Sequence, residues 1–122
     1  MEFGVTGLHV KHIVVLGHGQ CGGIKAALEG DDLGEPGLSF IDEWMTIVRE
    51  ARDRVVHDAP DDPQRELELE SVKVSLKNLR SFPFISRREQ AGELKLHGAW
   101  YAIGEAKLFT LDESTGNFSA VE

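Results

Sequence analysis

Ile13-Val14-Val15-Leu16-Gly17-His18-Gly19-Gln20-Cys21-Gly22-Gly23 is the stretch that decides how the rest of the chain is read. Its apolar start reads as a buried strand of a parallel sheet. The glycines that follow let the backbone turn tightly into a helix beginning near Gly22. Side chains in such a turn stand at the carboxyl end of a strand, where open α/β sheets place their chemistry. A helix amino terminus offers unpaired N–H groups and a partial positive charge, a setting that suits a thiolate ligand. Zinc binds thiolate sulfur and neutral imidazole nitrogen, usually four ligands in a tetrahedron. His18 and Cys21, three residues apart, therefore read as half of a metal site.

The composition narrows the surroundings of that pair. The chain has 122 residues, 41% of them hydrophobic, which is enough for one core and not for two. Thirteen Lys and Arg stand against 21 Asp and Glu, a net charge of −8. This balance repels phosphate backbones and anionic membranes, so neither nucleic acid nor a membrane is an expected partner. A single cysteine excludes an internal disulfide and fits a reducing compartment, with the cytoplasm as the expected location. No stretch has the length of a membrane span, and the amino terminus lacks the basic start and apolar core of a signal peptide.

Outward from the opening stretch, residues 2–10 read as a helix entered partway through, with apolar residues at 5 and 8 and no capping residue before them. Residues 11–16 are the strand, and 24–28 a short helix with Gly30 at its end. Residues 29–39 are a solvated loop carrying four Gly or Pro residues and four carboxylates, closed by Ser39 as a cap. Over 40–58, Ile41, Trp44, Met45, Val48, Ala51 and Val55 recur at helical spacing. Asp62-Pro63 starts a second long helix with the stripe Leu69, Val72, Leu76 and Leu79, ending near Ser81. Pro83 starts a third, over 84–91, which Gly92 stops. Residues 94–103 and 106–111 form a hairpin around Gly104-Glu105 that closes the sheet. Residues 112–122 read as a loosely held polar tail behind a single domain over 1–111.

The run Glu2-Phe3-Gly4-Val5, followed by Val10-Lys11-His12-Ile13 and on through Gly23, resembles the zinc-binding segment of the β-class carbonic anhydrases. The likeness continues through Ile41 and Trp44, then Val72, Leu79, Ser81, Pro83 and Phe84, into Leu96-His97-Gly98-Ala99-Trp100-Tyr101. It implies an α/β fold with a partial β-carbonic-anhydrase-like sheet, parallel strands plus a carboxy-terminal hairpin strand, flanked by helices. It also implies reversible hydration of CO2 to bicarbonate, with His18 and Cys21 as the zinc ligands. The family's upstream Cys-x-Asp-x-Arg motif, which supplies another thiolate and an Asp-Arg pair, has no counterpart here, and Cys21 is the sole cysteine. No catalytic residue is carried over, and the chain resembles the carboxy-terminal part of the enzyme.

Three protein ligands plus a water are the minimum for this chemistry, and His18 and Cys21 supply two. Within the chain, His9, His12, His57 and His97 read as surface or packed histidines, and Asp31 and Asp32 as solvating residues. The expected source of further ligands is another chain, either a second copy in a homo-oligomer or a complementary amino-terminal fragment. Without the family's first strand, residues 13–15 would lie on an open apolar edge that seeks a partner. The alternative is a non-catalytic interaction module built on the same fold. A third reading, an anion-binding glycine loop, lacks the Lys or Ser/Thr that would hold a nucleotide phosphate. Trp44, Met45 and Trp100 read as core, Glu66, Glu68 and Glu70 as a solvated helix face, and Arg87 and Arg88 as surface charges.

Overall fold

The computed structural model describes residues 1–29, 39–58 and 61–121, with the side chains of residues 26, 27, 29 and 39–47 outside that description. The loop expected over 29–39, including Gly30, Asp31 and Asp32, and the core roles expected of Ile41, Trp44 and Met45 therefore lie outside the described residues. Among the described residues, four strands and four α-helices follow one another. They are β1 (His12–His18), α1 (Gly22–Glu29), α2 (Ser39–Asp58), α3 (Pro63–Arg80), α4 (Pro83–Gln90), β2 (Lys95–Ala102), β3 (Lys107–Asp112) and β4 (Asn117–Ala120).

The sheet is mixed, in the order β1-β2-β3-β4. β1 runs parallel to β2, with His12 opposite Lys95 and His18 opposite Tyr101. A parallel pair needs a long crossover, and all four helices lie in it. β2 and β3 form the expected antiparallel hairpin, Ala102 opposite Lys107. The chain then turns again: β4 pairs antiparallel with β3 from Phe109↔Ala120 to Asp112↔Asn117. Within the tail expected over 112–122, Asn117–Ala120 is thus a strand. Its physical signal is Gly116, whose φ of +74° permits the turn, and Phe118, which packs on the core.

Two further expectations are corrected at the amino terminus. The opening segment is a single π-turn over Phe3–Gly7, in which Leu8 N–H donates to the Phe3 carbonyl at 3.0 Å. It buries Val5 and leaves Leu8 64% exposed. β1 is not a buried strand but an edge strand covered on one face. Ile13 and Val15 turn toward the core, while Val14 and Leu16 are 58% and 62% exposed. Alternation along a strand sends neighbouring residues to opposite faces, and among the described residues a long helix packs on one face of this sheet.

That helix is α3, and its start is written in the sequence. Asp62 Oδ1 accepts the Arg65 N–H at 3.1 Å and Pro63 occupies the first turn. Its apolar stripe is wider than Leu69, Val72, Leu76 and Leu79, because α3 is covered on two sides. Leu67 and Val74 pack with Ile24, Val48, Ala51 and Val55 of α1 and α2. Val72 and Leu76 pack with Val5, Ile85, Leu94 and Leu96 on the sheet side. Each fully buried Leu contributes about 2 kcal/mol relative to exposure.

α3 approaches the sheet at its glycines. A Cβ on Gly98 would lie 2.9 Å from Val72 Cγ1 and 3.1 Å from Leu76 Cδ1 and Leu111 Cδ2, and one on Gly17 would lie 2.9 Å from Val72 Cγ2. A glycine inside a strand marks such a close approach. Gly98→Ala is therefore expected to lift α3 and lower stability by about 1–3 kcal/mol, read as a lower urea midpoint at constant m-value. An unchanged midpoint would mean that the helix moves without cost.

The far end of α3 is tied down by charge. Arg80 donates from Nε and Nη2 to Glu89 of α4 at 2.9 and 3.0 Å, and from Nη1 and Nη2 to Glu113 of the β3–β4 turn at 2.6 and 3.0 Å. The Arg80 guanidinium holds the Glu113 carboxyl below its usual value of 4.5. A depressed carboxylate stabilises the fold above its unfolded value and loses that contribution as pH falls through the lowered folded value. Arg80→Met should thus cost about 1 kcal/mol at neutral pH, this being a partly solvated network. It should also flatten the acid limb of stability against pH, and an identical limb in the variant would count against the network.

Candidate functional site

The turn after β1 is built by its neighbours. Gly19 N–H donates to the Tyr101 carbonyl at 2.8 Å, which extends the β1–β2 pairing past the strand end. A Cβ on Gly19 would meet Trp100 Cζ2 at 3.4 Å, so the turn lies in contact with the indole. The reversal itself falls on Gln20, whose φ of +57° lies in the left-handed region. Cys21 then caps α1, its carbonyl accepting the Lys25 N–H at 3.0 Å.

His18, Cys21 and Glu68 line one cleft of about 200 Å³, whose other walls include Val15, Ile24, Val48 and Val72. His18 Nδ1 lies 2.9 Å from the Gly19 carbonyl oxygen. A carbonyl only accepts, so Nδ1 donates, and in the neutral imidazole with this bond Nε2 is the nitrogen whose lone pair can bind a metal. Cys21 is half-buried and forms no disulfide. The fold thus brings both predicted ligands to the end of β1. Among the described residues, no group of three or more His, Cys, Asp or Glu is placed to hold a metal ion.

The other histidines stay away. His12 begins β1, six residues from His18, or about 20 Å along a strand. It pairs instead with His97, Nδ1 to Nε2, at 2.9 Å. His9 Nδ1 lies 3.1 Å from Arg88 Nη1, and His57 is exposed in the last turn of α2. Arg87 is exposed as expected, while Arg88 is half-buried against His9 and Glu93.

Glu68 is the residue that sequence reasoning missed. Expected on a solvated face, it is 2% exposed and sits against the cleft. Its Oε2 accepts from the Cys21 backbone N–H at 3.1 Å and from Gln64 Nε2 at 2.8 Å, and its Oε1 accepts from Trp100 Nε1 at 3.2 Å. Gln64 Nε2 donates as well to the Cys21 carbonyl at 3.1 Å. Trp100 is core, as expected, at 3% exposure, and its indole edge is also the polar partner of Glu68. Arg65 lies over the Trp100 ring at 4.6 Å from its centroid. One sequence signal was available: Glu68 directly follows Leu67, and four residues after Gln64 it falls on the same helix face.

The carbonic anhydrase family profile matches residues 1–108. The chain is 37% identical to β carbonic anhydrase 3 of Arabidopsis thaliana, over 94% of its own length and 47% of the relative's. It is 34% identical to the mitochondrial β carbonic anhydrase 6 of the same plant, over 88% of its own length and 39% of the relative's. The β-carbonic anhydrase CcaA superposes with a TM-score of 0.87 at 28% identity, covering 100% of this chain and 56% of that one. CafA of Aspergillus fumigatus gives 0.70 at 33% identity, covering 91% and 53%. The chain belongs to the β-carbonic anhydrase family, and it spans about half the length or less of the curated relatives it matches.

The Trp100–Glu68 bond makes its own forecast. Trp100→Phe keeps the ring in the core but removes the donor to Oε1, leaving a buried carboxylate oxygen short of a partner. We expect a loss of about 1–3 kcal/mol in denaturant unfolding, beyond what the smaller ring alone costs. A loss no larger than Phe109→Leu, which removes the ring that packs on Trp100 at 5.4 Å without touching Glu68, would sink this assignment.

Proposed function

We propose that this chain supplies one half of a zinc centre for the reversible hydration of CO2 to bicarbonate, and that the other half comes from a second chain. His18 would bind through Nε2 and Cys21 through Sγ. What carries the reading is that, in a chain of this family, these two residues line the same cleft at the carboxyl end of β1. A soft sulfur and an imidazole nitrogen with a free lone pair form a donor pair that suits zinc. Zinc, when bound, supplies Lewis-acid activation of water, lowering its pKa to about 7. The chain's own contribution is to orient the imidazole through Gly19 and to wall the cleft with Val15, Ile24 and Val48, which suit a small apolar substrate. No acid or base for the reaction is assigned to this chain.

The partner would be a second copy of the chain or a segment equivalent to the amino-terminal half of the longer relatives. An exposed edge strand with Val14 and Leu16 on its open face supports such pairing. Solved relatives from Sordaria macrospora are described as tetrameric. Among the described residues no helix is long and apolar enough to cross a membrane, and a lone cysteine fits the cytoplasm. The same open face, which also carries Tyr101 and Leu108 at 38% and 39% exposure, favours the second reading, a non-catalytic interaction module.

Metal analysis and mass in solution, followed by a CO2 hydration assay with zinc present, test these readings together. The expected result is an oligomer at micromolar concentration whose zinc content falls at least tenfold in Cys21→Ser and in His18→Ala. Hydration should be weak until a complementary amino-terminal fragment is added. A monodisperse monomer would contradict the assembly, and zinc retained in both variants would contradict the ligand assignment. Zinc with no hydration under any pairing would leave the interaction module.

A further inference from the structure

Cys21 is held by its backbone as well as by its place in the turn. The ring of contacts is closed: Cys21 N–H to Glu68 Oε2, Gln64 Nε2 to that same oxygen, and Gln64 Nε2 to the Cys21 carbonyl. Gln64 and Glu68 are one helical turn apart on α3, so a single helix face reads both polar backbone groups of one residue. We infer that Gln64 and Glu68 are positioning residues that set how the Cys21 thiol is presented to a metal ion. The inference rests on the reading of Cys21 as a ligand.

Packing alone does not explain this arrangement. A buried carboxyl group costs several kcal/mol unless its oxygens are hydrogen-bonded, and an apolar side chain of equal volume would fill the space without that cost. Here every bond that offsets the burial is directed: the Cys21 N–H and Gln64 Nε2 donate to Oε2, and Trp100 Nε1 donates to Oε1 from the sheet. The preceding residue also needs holding. A non-glycine residue in the left-handed region costs about 1 kcal/mol, and Gln20 is kept there by what surrounds it. Released from α3, the turn would relax and carry Cys21 with it. Residues that orient a metal ligand from behind typically change affinity by about 10–100-fold when altered.

Glu68→Met and Gln64→Met remove the polar atoms at nearly constant volume. Three quantities are read on the full chain: the rate of Cys21 alkylation by iodoacetamide, cobalt(II) affinity from thiolate-to-metal absorption, and the thermal midpoint. We expect alkylation about tenfold faster and cobalt binding about tenfold weaker in each variant, with the midpoint near that of the parent chain in Gln64→Met and lower in Glu68→Met, where the Trp100 and Cys21 N–H groups lose their acceptor. Should Glu68→Met fail to fold, Gln64→Met decides, because Gln64 is only half-buried. Parental alkylation rates in the variants overturn the inference. So does faster alkylation with unchanged cobalt affinity, since the contacts would then shield the thiol without presenting it. A parent chain that takes up no cobalt through Cys21 removes the ligand reading instead, and the alkylation rates alone then decide whether α3 holds the residue.

Discussion

A carboxyl group with almost no solvent must find its hydrogen bonds inside the protein, and Glu68 finds all of its partners in places that matter. One is the backbone of the site residue Cys21, one is Gln64 on its own helix, and one is the indole of Trp100 in the sheet. The requirement couples three layers at a single point. If α3 shifted along the sheet, the Trp100 bond would break. If α1 moved, the Cys21 bond would break. Gly17 and Gly98 serve the same constraint from below, because only a helix lying this close to the sheet brings a glutamate within reach of both. Burial of Leu67, Val72 and Leu76 stabilises the packing, but apolar contacts tolerate sliding in a way that directed bonds do not.

This explains which parts of the chain were legible in the sequence. Elements whose ends are set by local chemistry were read well: the Asp62-Pro63 start of α3, the Pro83 start of α4, the turn into α1 and the β2–β3 hairpin. The meeting of His18 and Cys21 at one cleft was also legible, since the glycine turn after β1 sets both residues at the strand's carboxyl end. Features set by tertiary surroundings were not. Val14 and Val15 are identical in the sequence, and only the presence of one helix layer makes the first exposed and the second half-buried. Asn117 to Ala120 becomes a strand because β3 offers an edge, not because four residues carry a pattern of their own.

Glu68 is the instructive failure. Glu66, Glu68 and Glu70 alternate with leucines, and by charge alone all three belong to water. Their fates differ: Glu66 is exposed, Glu70 pairs with Arg54 and Lys73 near the surface, and Glu68 turns inward. Helical geometry separates Glu66 from Glu68 by about 200° around the axis, so one of them had to face the protein once Leu67 and Val72 did. Which one could use a buried position depended on donors 47 residues before it and 32 after it. Contacts of that sequence separation leave no local trace.

The open sheet edge and the candidate ligand His18 sit on the same element. β1 carries the backbone groups of a sheet edge and the exposed side chains of Val14 and Leu16, and at its end it delivers His18 to the cleft that Cys21 also lines. A strand added beside β1 would use the edge N–H and C=O groups, cover the valine and leucine, and bring its own carboxyl-end residues next to His18 if it ran parallel. Parallel strands place corresponding ends together, as β1 and β2 already do with His18 opposite Tyr101. An antiparallel addition would satisfy the edge equally well and put the wrong end beside the cleft. Completing the proposed metal centre would therefore be a stricter demand than completing the sheet, and strand direction would separate an assembly able to do chemistry from one that only hides an apolar edge.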